Sequence, residues 1–186
     1  MKKCMLIATL AVLALVVLPG LSRADAVIYD HGGEKLLSIT FPDGWNIDTD
    51  YVADAKGAGT YEGGEPDIRV VEAMPKDGTR LWIGIWVAPR TSTLEKGLDY
   101  AASLDGSLFT DVEATEPEDA TLGGMAAKKF HGTAKRQGES VEFAMALLEP
   151  RDGVIVSVLY VGEPETWSKH EAELTAIVES LRPAGN

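Results

Sequence analysis

Arg80-Leu-Trp-Ile-Gly-Ile-Trp-Val-Ala88 is apolar on both of its faces. Successive side chains of a β-strand point to opposite sides, so Leu81, Ile83, Ile85 and Val87 share one face and Trp82 and Trp86 the other. A strand with two apolar faces must be covered on both, which places it in the middle of a sheet between two layers. Val154 to Val161 has the same character, with Val154, Val156, Val158 and Tyr160 opposite Ile155, Leu159 and Val161. These two segments are expected to be the central strands.

Outward from them the chain alternates between strands and turns. Leu36 to Phe41 reads as a strand closed by the turn Pro42-Asp-Gly44, and Trp45-Asn-Ile47 resumes it. Asp67 to Ala73 pairs by pattern with the first central strand across Pro75-Lys-Asp-Gly78. Between them, residues 53–67 are glycine-rich, acidic and short of apolar side chains, the composition of a surface loop. Gln137-Gly138 predicts a two-residue hairpin. If Arg136 faces Glu139, then Ala134 meets Val141, Gly132 meets Phe143 and Phe130 meets Met145, apolar against apolar throughout.

Two helices are expected. Ser92-Thr-Leu-Glu95 fits a capping box, and Leu94, Leu98, Ala101, Leu104 and Leu108 recur at helical spacing, predicting a helix to about Phe109. The second has Pro164 in its first turn, Trp167, Leu174, Ile177, Val178 and Leu181 along one side, and Pro183 to stop it.

The chain opens as an exported protein does. Met1-Lys-Lys is followed by an apolar run from Leu6 to Leu18 and by Ala24-Asp-Ala26, so residues 1–26 read as a cleaved signal peptide and 27–186 as one domain. The run is shorter than the roughly 20 residues that span a bilayer, so no membrane span is expected. Cleavage after Ala24 is the other reading of the site. The single cysteine, Cys4, lies in the leader, which leaves the mature domain without disulfides or thiolate chemistry. Removing Lys2, Lys3 and Arg23 from the 17 basic residues, and Asp25 from the 29 acidic ones, leaves 14 against 28 and a net charge of −14. Such a field disfavours nucleic acid and anionic lipid as partners.

The order of these elements and several local signatures resemble the PsbP-like superfamily, which includes the PsbP, DcrB-type and Mog-type proteins. The matching residues are Phe41-Pro-Asp-Gly-Trp45, Thr93-Leu-Glu95, Leu122-Gly-Gly-Met-Ala-Ala127, Val158-Leu-Tyr-Val161, Trp167 and Val178-Glu-Ser-Leu-Arg182, spread over nearly the whole mature chain. The resemblance implies an α+β fold, an antiparallel β-sheet sandwiched between helices in an α/β/α arrangement, and a non-enzymatic accessory or binding role. It transfers no site residue.

The residues themselves offer little chemistry. His31, His131 and His170 are scattered without ligand spacing, no Gly-x-Ser-x-Gly elbow is present, and the glycine pairs of the 53–67 segment open no helix. No catalytic, cofactor or metal residue is assigned, and enzymatic activity is not expected. The acidic segment, with Asp43, Asp48, Asp50, Asp54, Glu62, Glu65 and Asp67, offers oxygen ligands without the EF-hand spacing, leaving cation or small-ligand capture as an alternative reading. Lys129, His131, Lys135 and Arg136 reverse the prevailing charge and are the candidate patch for an anion or acidic partner, unless cross-strand Glu139 and Glu142 neutralise them. The reading is a periplasmic or secreted, soluble accessory protein binding an envelope protein or complex.

Protein recovered from its native host is expected to lack residues 1–26, which intact-mass measurement checks. A full-length mass in the membrane fraction would contradict it.

Overall fold

The computed structural model describes residues 25–53 and 68–185. The expected leader up to Ala24 and most of the acidic glycine-rich segment fall outside them. The elements are β1 (Asp25–His31), β2 (Glu34–Phe41), β3 (Trp45–Ala53), β4 (Ile68–Pro75), β5 (Leu81–Val87), α1 (Leu94–Ala102), β6 (Thr110–Ala114), β7 (Glu118–Leu122), β8 (Met125–Arg136), β9 (Glu139–Arg151), β10 (Val154–Gly162), α2 (Pro164–Ser180) and β11 (Arg182–Pro183). One sheet runs β3-β4-β5-β10-β9-β8-β6, with β7 also on β8; a second is β1-β2-β11. The pairings between these strands are antiparallel.

The two doubly apolar segments lie side by side at the centre of the large sheet, Ile85 opposite Val158 and Ile83 opposite Tyr160. Their alternate residues enter different cores. Ile83, Ile85, Val156 and Val158 pack with Leu37, Ile39 and Phe41 of β2 and with Leu174 and Ile177 of α2. Trp86, Ile155 and Leu159 pack with Tyr100 of α1, Leu104, Phe109 and Phe143. One face is therefore covered by the small sheet together with α2, the other by α1 and the turn after it. Each aliphatic side chain so buried contributes about 1.5–3 kcal/mol of transfer free energy, which suits a domain without disulfides.

Tyr29 stitches the small sheet to the large one. Its hydroxyl accepts from the Val87 amide at 2.8 Å and donates to the Arg69 carbonyl at 3.3 Å. Burial pushes its ionisation up to about 12.

The hairpin register has Arg136 on Glu139, Ala134 on Val141, Gly132 on Phe143 and Phe130 on Met145, as the sequence pattern requires. Gln137 and Gly138 both have positive φ, at 54° and 85°, the backbone of a type I′ turn whose twist matches the strands it joins. Three local expectations are corrected. The cap of α1 is Thr93, whose hydroxyl accepts from Lys96 N at 3.2 Å, one residue later than the capping box implied. That helix ends at Ala102 instead of Phe109. Ser103 turns its hydroxyl onto the Tyr100 carbonyl at 2.6 Å and Gly106 takes φ 80°, so the apolar spacing continues through a turn and not through helix. The third concerns β6 and β7, two short polar edge strands that no apolar alternation announced.

Trp86 is buried and donates its indole proton to Tyr100 Oη at 2.9 Å, whereas Trp82 is only half-buried. Trp86→Ala is therefore expected to lower the unfolding free energy by about 3–5 kcal/mol, and Trp82→Ala by less. Denaturant titration of the two variants tests the ranking, and equal losses would contradict it.

Candidate functional site

The basic residues singled out in the sequence do not form one positive patch. Alternation along β8 sends Lys129, His131 and Lys135 to one side and Lys128 and Arg136 to the other. Each lysine meets an acid from the neighbouring edge strands: Lys128 and Asp119 at 2.7 Å, Lys129 and Glu118 at 3.4 Å, Lys135 and Asp111 at 2.6 Å. Hydrogen bonds to Asp119 and Asp111 push the Lys128 and Lys135 ammonium groups above the usual lysine range. The expected partners were Glu139 and Glu142. Instead Glu139 takes Arg80 at 3.0 Å, and Glu142 lies opposite Thr133. Surface pairs of this kind add little stability, so their main effect is to cancel charge. His131 donates its backbone amide to Thr115 Oγ1 at 3.2 Å, and Arg136 lies over the Trp82 ring.

Lys129 and His131 nevertheless border a distinct feature. Between α2 and the β7–β9 side of the sheet runs a groove of about 670 Å³. Its floor is Ala144 and Ala146 of β9 with Tyr160 of β10, and its helix wall is Trp167, Leu174 and Val178. The two alanines are half-buried and small, so the sheet surface drops away beside the helix. Trp167 stands edge-on to Tyr160, with ring centres 6.3 Å apart. The Tyr160 hydroxyl is buried beneath this wall with no hydrogen-bond partner in the protein, and burial raises its ionisation well above the ordinary tyrosine value. Leaving such a group unpaired costs about 1–3 kcal/mol. Glu171 and Glu179, two turns apart on α2, and Glu118 supply an acidic rim. The groove is thus an apolar trough with a polar rim.

Among the described residues, one arrangement that imitates catalytic geometry lies midway along α2. His170 Nδ1 sits 3.0 Å from Glu173 Oε2 and its Nε2 3.2 Å from Thr79 Oγ1, the order of acid, imidazole and hydroxyl that activates a nucleophile. Here the hydroxyl also accepts from Lys169 Nζ at 2.9 Å, and the Glu173 carboxylate also accepts from Trp45 Nε1 at 2.9 Å. Every member is engaged in joining three pieces of chain: the β4–β5 turn, the start of β3 and α2. This is a clamp that seats the helix. The sequence signal for it was His170 and Glu173 at i, i+3 on a helix, in a chain whose histidines read only as scattered.

Among the described residues no group of three or more His, Cys, Asp or Glu lies together as a metal site. Of the acidic residues in the sequence reading, Asp48 accepts from the Asp50 amide at 2.9 Å and Asp50 pairs with Arg69 at 3.2 Å. Residues 54–67 lie outside the described part.

No protein-family model matches the sequence, and no curated protein matches it by sequence. Solved structures do. LpqN of Mycobacterium tuberculosis, a protein involved in cell envelope biogenesis, aligns with a TM-score of 0.57 at 13% identity, over 88% of this chain and 91% of that one. Cyanobacterial PsbP from Synechocystis sp. PCC 6803 aligns with a TM-score of 0.54 at 12% identity, over 91% and 99%. A Pseudomonas aeruginosa protein of unknown function aligns at 0.50 and 14% identity, over 87% and 99%. The chain has a PsbP-like fold. A fold of itself assigns no activity.

Asp77 bonds Lys169 and the Thr79 amide beside the clamp, and these contacts hold its carboxyl well below the usual carboxylate range. A depressed native value stabilises the fold above the unfolded value of 3.8 and is lost as pH falls. Asp77→Asn is expected to be less stable than the parent at neutral pH, the gap closing below about pH 4. Urea midpoints measured across that range check this, and a gap independent of pH would contradict it.

Proposed function

We propose that this chain is an exported, soluble accessory protein of the cell envelope that works by binding and not by catalysis. On this reading it is an α/β/α domain of the PsbP-like kind, with a leader removed on export. The observation that carries it is the groove along α2: apolar floor, half-buried tryptophan wall and acidic rim, sized for a segment of a partner. LpqN, which shares the fold, is described as acting in cell envelope biogenesis, and that agrees with the export signal read in this sequence. No helix among the described residues is long and apolar enough to cross a membrane, in keeping with a protein that meets its partner from outside the bilayer.

A photo-crosslinking residue at Thr175, on the groove rim, is expected to capture a discrete envelope partner in the native host, whereas one at exposed Lys96 on α1 is not. Ala146→Trp fills the floor and is expected to abolish the Thr175 adduct without changing the melting temperature by more than a few degrees. Identical adducts from both positions, or an adduct indifferent to Ala146→Trp, would overturn the assignment of the groove.

A further inference from the structure

On the opposite face of the sheet from the groove, Trp82 is held in an unusual way. Its neighbour two residues along β5 is Gly84, and a Cβ at that position would run into the indole ring. The ring therefore lies down along the strand, one face on the glycine backbone. A glycine inside a central strand weakens it, and its use there marks a close approach of some other group. The indole is then pinned at its edge, Nε1 donating to Glu72 Oε1 at 2.9 Å. A tryptophan serving only as core would be buried, as Trp86 is. Trp82 is half-buried and lines an open pocket of about 620 Å³.

The pocket rim is made of planar polar side chains: Asn46, Glu72, Arg136, Gln137 and Glu139. The Arg136 guanidinium hangs over the outer indole face, 5.3 Å from the ring centre, and Met74 beside it is 45% exposed. Arg80, also on the rim, pairs with Glu139 at 3.0 Å and Glu163 at 3.2 Å.

We propose that this pocket binds a neutral saccharide, with a pyranose ring stacked on Trp82. A pyranose presents a face of C–H groups with partial positive charge, which suits the negative face of an indole. Its vicinal hydroxyls match the paired donors and acceptors of amide, carboxylate and guanidinium groups. The indole is set before any ligand arrives, because the glycine and Glu72 fix the ring, and stacking has only to displace the Arg136 guanidinium from its outer face. Glu72, Glu139 and Glu163 outnumber Arg80 and Arg136 around the pocket, which disfavours phosphorylated or acidic ligands there. Arg136 becomes a donor to the ring hydroxyls as it shifts along the indole. The proposal stands apart from the groove on α2, and neither depends on the other.

The test is a titration of the full mature chain with three tetrasaccharides, β-1,4-linked glucose, β-1,4-linked N-acetylglucosamine and α-1,4-linked galacturonic acid, by calorimetry and saturation-transfer NMR. At least one neutral probe is expected to bind saturably with a Kd of about 1 mM or tighter, with saturation transfer strongest on the ring C–H protons. Gly84→Ala, which lifts the indole, and Arg136→Gln, which removes donors from a half-buried rim position, are each expected to weaken binding about tenfold or more. Circular dichroism confirms that each variant is folded, and the Arg136 variant serves if Gly84→Ala is not. Absence of saturable binding by either neutral probe, binding untouched by Arg136→Gln, or tighter binding of the galacturonic acid probe would each overturn the proposal.

Discussion

The antiparallel pairing of β5 with β10 is the constraint on which the rest of the molecule depends. Both strands are apolar on both faces, so seating them together creates two dry surfaces that water must be kept from. The chain meets the demand unequally. On one face it lays a second small sheet and α2, fastened through Tyr29, the Trp45 and His170 clamp and the buried Leu181. On the other it uses the short α1 and the irregular turn that follows it. Without a disulfide, the fit of these covers is what holds the domain closed.

That unequal cover also makes the two concave surfaces. Helix α2 packs chiefly against β2, β9 and β10 and stops short of β8, which leaves the trough over Ala144 and Ala146. A single helix beside a sheet this wide cannot shield all of it, and the polar side of β8, with Lys129, His131, Thr133 and Lys135, needs no shield. The groove is thus the boundary between the dry and wet parts of one sheet face. On the opposite face a comparable edge falls at Trp82, where the strand runs out from under α1.

Electrostatics tune this surface more than they stabilise it. The positive side chains of β8 are matched by Glu118, Asp119 and Asp111, so the hairpin that looked like an island of positive charge is a ladder of exposed pairs in a molecule of net charge −12. The carboxylates left on the outer side of α2 then set the sign of what can approach the groove. An acidic partner would meet Glu171 and Glu179 before it met Lys129.

The sequence by itself determined the two central strands and the register of the β8–β9 hairpin. The physics there is short-range: a period of two on both faces forces burial, and Gln137-Gly138 permits only the turn that sets Arg136 against Glu139. It also placed α2 to within a residue of its ends, from Pro164 and Pro183. Only the tertiary structure decided where α1 stops, because Leu104 and Phe109 keep a helical spacing whether or not the backbone between them is helical. Only it brought β6 and β7 beside β8, since short edge strands that pack only Val112, Ala120 and Leu122 against the cores carry little apolar pattern. His170 and Glu173 of α2, Trp45 and Thr79 come from three separate places in the chain, and Trp82 is told from Trp86 only by what lies above each ring. Contacts between distant residues are set by how the layers pack, and packing leaves no periodic trace in the sequence.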